Sequence, residues 1–390
     1  MTDSDTPLRA NAEQPAGGVS RPGRRTVGVE EELLLVDAET MQLVPVAGRV
    51  LESIPSAGGR SSAPDSTVVF EVKQEQIEVV SPPYRTVDEL ARTIVDGRTK
   101  ADLAARSVGA RAVALATSLL PGESHVVPDP RYERMQSRFG LTLREQLTCG
   151  FHVHVAVDSP HEGVAALDRI RPWLPVLLAL SANSPYWQGV DTEFASYRYQ
   201  AWNRWPSAGP YDLSGGVDEY HRREEEALAA GVAIDRGMVY ADARLSRHVP
   251  TIEIRIADVC LLPSDATVIA LLARALVETA VAEWAAGVPA DPVPTSFLRL
   301  ASWRASKSGL NDSLVHPVTR VPVAAGLAVQ ALLDHVRDHF ASVDEQRVVL
   351  DTVAVILREG TGERRQRAAM RVRGDHRDVV AEAVLQTTRF

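Results

Sequence analysis

Cysteine is nearly absent from this sequence: Cys149 and Cys260 are the only two in 390 residues. A disulfide framework is therefore not the organising principle, and a reducing cytoplasm is the expected compartment. Long apolar runs are missing as well. No stretch approaches the roughly 18–20 uninterrupted apolar residues of a membrane-spanning helix. The longest candidate, Trp173 to Leu180, is short and contains Pro175. The opening residues, MTDSDTPLRA, carry acids and no apolar run, so no secretory leader is expected. Lysine is scarce (Lys73, Lys100, Lys307) beside abundant arginine, which reads as a composition bias of the genome. A net positive charge is lacking too. The formal charge of −9 disfavours nucleic acid or an anionic membrane as partner, while leaving room for a locally basic pocket that takes a small anion. There is no phosphate-binding glycine loop and no dinucleotide fingerprint.

Residues 1–25 are rich in Pro, Gly, Asn and Ser without periodicity and read as a disordered tail. Order is expected from Thr26, as one α+β domain over 26–390 whose last third is helical. Strands are expected at Thr26–Val36, Val68–Val80, Cys149–Val157 and Thr251–Asp258, with a weaker one at Met238–Ser246. Helices are expected at Val87–Val108, Gly163–Ala182, Ala266–Ala286, Pro322–Ala341, Asp344–Glu359 and Gly362–Arg373. Thr86 with Glu89 three residues on forms a capping-box signature for the first of these. The Trp-, Tyr-, Pro- and Gly-rich stretch 183–237 reads as a long functional loop region. The strands are two-faced, apolar on one side and polar on the other. That favours an antiparallel sheet open on one side, with helices covering the other.

Side chains alternate across a strand, and three strands load their polar face alike. TVGVEEELLLV keeps Val27, Val29, Leu33 and Leu35 on one face, with Glu31 as the odd acid among them, and places Glu30 and Glu32 on the other. CGFHVHVAV keeps Cys149, Phe151, Val153, Val155 and Val157 together and sets His152 and His154 opposite. TIEIRIAD packs Ile252, Ile254 and Ile256 and presents Glu253 and Arg255. A merely solvated face would draw on Thr, Lys, Ser and Gln; Glu and His are the residues that ligate metals. The segment VVFEVKQEQIEVVSPP adds Glu71, Glu75 and Glu78. Its apolar parity flips between Val72 and Ile77, which predicts a bulge that brings Glu71 and Glu78 to the polar side. So many carboxylates in one cavity cannot all ionise without cations. Carboxylates with imidazole suit Mg²⁺ or Mn²⁺ better than Zn²⁺, and such metals on a carboxylate floor suit phosphoryl transfer.

Taken in order, GVEEELLLV, the E-x₆-E-VVSPP segment, CGFHVHVAV, SANSPYWQGVDTEFASYR, TIEIRIAD and SWRASKSGL resemble the glutamate–cysteine ligase type 2 family of carboxylate–amine ligases. The resemblance runs from about Thr26 to the C-terminus and thins after about Val318. It implies a glutamine-synthetase-like catalytic fold on a curved, mainly antiparallel sheet. It implies ATP with Mg²⁺, or Mn²⁺ in its place, phosphorylation of a substrate carboxylate, and attack on the acyl phosphate by an amine, typically glutamate and cysteine. Carried over, Glu30, His152 and Glu253 resemble one metal set, and Glu32, Glu71 and Glu78 another, with Glu75 as the fallback for Glu71. Arg255 resembles a phosphate-facing arginine, Arg198 a binder of carboxylate or phosphate, and Arg304 a phosphate contact or a solvated residue. His154 is either a further site residue or a hydrogen-bonded support, and Arg244 is a weaker candidate. Small amino acids are the expected partners, and a homodimer is compatible. The rival readings are an amidohydrolase-type metal hydrolase built on His152 and His154, and a non-catalytic nucleotide-binding relative.

Overall fold

The computed structural model describes residues 25–54 and 65–389. The predicted tail lies outside the described residues except for its last position. Arg25 is already packed, donating to Glu162 at 2.6 Å and to Glu278 at 3.1 Å, so order begins at least one residue before Thr26.

The strands are β1 (Val27–Asp37), β2 (Thr67–Phe70), β3 (Gln76–Val80), β4 (Ala110–Val113), β5 (Gly150–Ala156), the hairpin β6 (Tyr186–Trp187) and β7 (Val190–Asp191), β8 (Ala243–Leu245), β9 (Thr251–Asp258), and the hairpin β10 (Ser313–Val315) and β11 (Pro322–Ala324). Seven of them form one open sheet in the order β2-β3-β1-β5-β9-β8, with β4 continuing along β1. Every pairing in it is antiparallel, as the two-faced strands predict.

The apolar face is buried as read: Val27, Val29, Leu33, Leu35, Phe151, Val153, Val155, Ile252, Ile254 and Ile256 all lie in the core. Removing each such side chain from water contributes about 1.5–3 kcal/mol, enough to commit the strands to this register. Helices cover that face. Pro263–Ala285 is buried without interruption from Asp265 to Ala280, as a helix apolar on all sides must be. Val87–Ser107 begins with the expected capping box of Thr86 and Glu89.

Several elements differ from expectation for identifiable reasons. The predicted strand Val68–Val80 is a hairpin, β2 and β3, whose residues pair from Thr67↔Val80 to Phe70↔Ile77. The parity flip thus marks a reversal of the chain and not a bulge. The predicted helix Gly163–Ala182 is two helices, Pro160–Ile170 and Leu174–Ser181, with a 3₁₀ turn at Arg171–Trp173 between them, where Pro172 and Pro175 lack the donors a continuous helix needs. The stretch 183–237 holds helices Tyr197–Trp202 and Val217–Ala229 among its loops. The weak strand at 238–246 shrinks to β8. The C-terminal third is helical as expected, ending in Val343–Glu359, Gly362–Arg373 and His376–Thr387.

Candidate active site

The strand register sets the predicted polar residues side by side. Glu30 pairs with His152 across β1 and β5, Glu32 with Glu78 across β1 and β3, His154 with Glu253 across β5 and β9, and Glu253 with Arg244 across β9 and β8. Between Phe151 and Val153 the register slips, so that Arg255 and Ile256 together face His152. Glu71 reaches the same floor from the turn after β2.

Over this floor lies a cavity of about 630 Å³, lined by Glu30, Glu32, Glu71, Glu78, His152, His154, Glu253, Arg255 and Arg244 among others. Its roof is a separate small core of Met135, Leu143, Trp205, Ala208, Met238 and Tyr240. Trp202 stands 4.8 Å from Tyr240 between ring centroids, and the Arg255 guanidinium lies 6.0 Å from the Trp202 ring. Arg131 holds the roof closed on Asp235 with bonds of 2.7 and 3.1 Å. Arg131 and Tyr132 were not read as site residues. Their signal was Asp129-Pro130, a cap followed by proline in the first helical turn, which starts the helix Pro130–Phe139.

At the centre, Glu30 stands between two imidazoles. Its Oε2 is 3.1 Å from His152 Nδ1 and its Oε1 is 3.0 Å from His154 Nε2. His154 is therefore part of the cluster. Its Nδ1 lies 2.9 Å from Thr251 Oγ1, while its buried Nε2 has no hydrogen bond among the described residues. Glu253 is gripped by Arg244 through bonds of 2.8 and 3.1 Å and pairs with Arg255 as well. Glu32 Oε2 accepts from the backbone N–H of Gly150 at 2.5 Å.

The electrostatics follow from this crowding. Burial, reinforced by the charge of Glu32, pushes Glu71 up to about 8. Burial, with Glu30 and Glu71 beside it, pushes Glu78 well above the carboxylate range. Burial also opposes the charge on Glu30, but the imidazoles of His152 and His154 beside it outweigh that and hold the carboxyl low. Glu253 is held low against its burial by Arg255 and Arg244. Burial and Arg255 lower His152, keeping it a neutral imidazole with a lone pair to offer. The floor thus carries more acid than its own cations neutralise. Oxygen donors with imidazole, and a buried ring nitrogen left without a bond, fit a divalent cation of the Mg²⁺ or Mn²⁺ kind.

Other expected residues lie elsewhere. Glu75, the fallback for Glu71, is fully buried against His125 at 2.6 Å and does not line the cavity. Arg198 is also outside the lining. Its guanidinium donates to the backbone oxygens of Ile256 and Arg255 at 3.3 Å and lies 3.9 Å from Asp258, so it braces the end of β9. Arg304 donates to the carbonyl of Ser313 at 3.0 Å and fastens a helix to β10, away from the floor. Cys149 and Cys260 are buried free thiols. The hydrolase alternative calls for further histidines, yet among the described residues the possible metal-holding groups contain only His152 and His154 of that type. Among the described residues no helix is long and apolar enough to cross a membrane.

A relative from Paenarthrobacter aurescens (strain TC1), named as a candidate glutamate–cysteine ligase 2-1, is 50% identical over 376 residues, covering 95% of this chain and 97% of its own. A candidate glutamate–cysteine ligase 2 of Streptomyces coelicolor is 46% identical over 366 residues, covering 93% and 99%. The fold is shared with a bifunctional glutathione synthetase from Pasteurella multocida at a TM-score of 0.66 and 14% identity, over 94% of this chain and 52% of that one. It is shared also with the glutamate–cysteine ligase of Francisella tularensis, solved in complex with AMP, at 0.60 and 11%, over 94% and 89%. The sequence profile of glutamate–cysteine ligase family 2 matches residues 26–382, and the chain belongs to that family.

Proposed function

We propose that this protein is an ATP-dependent carboxylate–amine ligase that joins the γ-carboxyl of glutamate to the amine of cysteine through an acyl phosphate. Family membership supports the reaction class, and the relatives' names support the substrates. The observation that carries the reading is the floor itself: Glu30, Glu78, His152, His154 and Glu253 converge beside Arg255 inside one roofed cavity.

Those residues are the ones to hold divalent metal, with Mg²⁺ as the expected ion and Mn²⁺ as its substitute, while Glu32 and Glu71 complete the acidic floor. A divalent ion held there would supply positive charge to offset the charge that develops in phosphoryl transfer. Arg255 projects into the cavity as a fixed cation, paired to Glu253 and backed by the Trp202 ring, so it meets a phosphoryl group without reorganising. The roof of Trp202, Trp205 and Tyr240 keeps water from the acyl phosphate. Residues 26–390 act as one catalytic unit. Two buried free thiols suit a reducing cytoplasm, and the partners are small molecules rather than nucleic acid or membrane.

The test is ADP and phosphate release with ATP, Mg²⁺ and glutamate, with and without cysteine, together with product mass. A γ-glutamylcysteine mass formed only with both substrates is the expected result. ADP release with a different carboxylate–amine pair alone would correct the substrates. Absence of nucleotide consumption with every pair tried would overturn the reading.

A further inference from the structure

We propose that the outer surface around Phe194 docks a second copy of this chain, as a two-fold dimer with an aromatic core. The proposal does not depend on the ligase reading.

The surface is a ribbon of rings. Trp303 stands 6.1 Å from Phe194 between centroids, Phe194 5.9 Å from Tyr197, and Tyr197 5.5 Å from Trp187. Two aliphatic side chains extend it. Leu300 lies one turn before Trp303 on the helix Thr295–Ser308, and Val190 pairs directly with Trp187 across β6 and β7. Leu300 is 65% exposed, Val190 62% and Trp303 49%, while Phe194, Tyr197 and Trp187 are half-buried. None of the six lines the cavity over the acidic floor. Together they leave on the order of 400 Å² of apolar surface in water. Single exposed apolar residues need no explanation, but a contiguous patch of this size marks an interaction site.

The rim of the ribbon selects what covers it. Lys307 Nζ lies 4.7 Å from the Phe194 centroid and 3.5 Å from Glu193. The Arg204 guanidinium lies 5.8 Å from the Trp187 ring and donates to Glu145 at 2.5 Å. Arg367 pairs with Asp191 at 2.7 Å. Each of these cations thus has an acid beside it. A nucleic acid, an anionic membrane or a strongly charged peptide would meet as much repulsion as attraction there. A second copy, turned about a two-fold axis, presents the same alternation and can set acid against cation. On a chain of formal charge −9, a balanced patch of this kind lets two copies approach without net repulsion. The area agrees. Two such faces hide about 800 Å² of apolar surface, and with their polar rims they pass the roughly 1,000 Å² that a specific interface needs. The chain's own residues 1–24 are poor occupants, since they contain no aromatic residue and only Met1, Leu8 and Val19 as large apolar ones.

The test is sedimentation of the full chain from about 1 to 200 µM, at low and at high salt. The expected result is a monomer–dimer equilibrium that persists at high salt, because its core is apolar. Trp303→Glu should weaken the dimer roughly thirtyfold or more, while its circular dichroism stays that of the wild type. Should Trp303→Glu fail to fold, Leu300→Glu makes the same test at a more exposed position. Lys307→Glu gives each rim an excess of acid. It should weaken the dimer at low salt, with recovery as salt screens the repulsion. A monomer at every concentration would overturn the proposal and leave the ribbon to a partner of another chemistry. A dimer of wild-type strength in folded Trp303→Glu or Leu300→Glu would overturn it by placing the contact elsewhere. A Lys307→Glu dimer as strong as the wild type at low salt would overturn the two-fold pairing of the rims.

Discussion

Arg244 forks the carboxylate of Glu253, its Nε 2.8 Å from Oε2 and its Nη2 3.1 Å from Oε1, while its Nη1 donates to the carbonyls of Gly237 and Val239. One guanidinium therefore fixes a floor carboxylate and the loop that enters β8. Arg244→Gln removes the fork and leaves Glu253 to Arg255. Breaking a buried pair costs about 3–5 kcal/mol, and the surviving Arg255 contact places this loss at about 3 kcal/mol or less. Arg244→Lys keeps the charge and loses the planar fork, so it should recover stability better than turnover. Thermal melts and steady-state kinetics on both variants check this. Equal recovery of turnover and stability by lysine would show that charge alone matters.

Gly150 opens β5 beneath Arg198. A Cβ there would stand 2.3 Å from Arg198 Nη2 and 3.0 Å from His152 Nε2. Arg198 cannot swing away without giving up the Ile256 and Arg255 carbonyls. Gly150→Ala should therefore destabilise by about 1–3 kcal/mol through overpacking and displace His152, lowering metal affinity along with the melting temperature. A variant with wild-type melting and wild-type Mn²⁺ binding would contradict the close packing.

What could be read beforehand divides along physical lines. Period-two alternation exposes which side of a strand is polar, so Glu30, Glu32, His152, Glu253 and Arg255 were legible from TVGVEEELLLV, CGFHVHVAV and TIEIRIAD. Alternation says nothing of which strand lies beside which. His154 was thus undecided until β9 placed Glu253 and Thr251 next to it. A reversal and a bulge change parity alike, so Glu71 and Glu78 were rightly united by a wrongly drawn element. Arg198 and Arg304 point away from the cavity lining, toward the end of β9 and toward β10, because a family motif marks a position and not its direction. Of the roof, Trp202 and Trp205 lie in the 183–237 stretch that reads as functional, whereas Arg131 and Tyr132 come from a distant short helix that strand alternation does not reveal.

His335 stacks on Trp173 at 4.0 Å between ring centroids and 11° between planes. Burial, with the charge of His339 behind it, lowers its pKa from 6.5 to about 4. Between those values the unfolded chain holds the proton and the folded chain does not. This contribution to stability is therefore complete above about pH 6.5 and declines as the pH falls toward 4, reaching on the order of 2 kcal/mol of loss by pH 5. His335→Phe keeps a flat ring on Trp173 and removes the titration. Its melting temperature should fall less than that of the wild type between pH 7 and pH 5. Parallel pH profiles for the two proteins would show that His335 titrates alike in both states.

Glu31, a buried acid on the apolar face of β1, is met by Arg98 through bonds of 2.6 and 3.0 Å, with the guanidinium fully buried. Arg98 also donates to the carbonyls of Cys260, Leu261 and Thr387, so it joins the sheet to the residues following β9 and to the last helix. Arg98→Leu strands the Glu31 charge, at about 3–5 kcal/mol, and leaves three carbonyls without their donor besides. Adding Glu31→Leu removes the unpaired charge but leaves the carbonyls unsatisfied, each at about 1–3 kcal/mol. The double variant should therefore be more stable than Arg98→Leu and less stable than the wild type. Chemical denaturation of the wild type, both single variants and the double variant measures the coupling. A double variant as stable as the wild type would mean that the carbonyls find other partners and that Arg98 serves Glu31 alone. One no better than Arg98→Leu would mean that its grip on the C-terminal helix outweighs the ion pair.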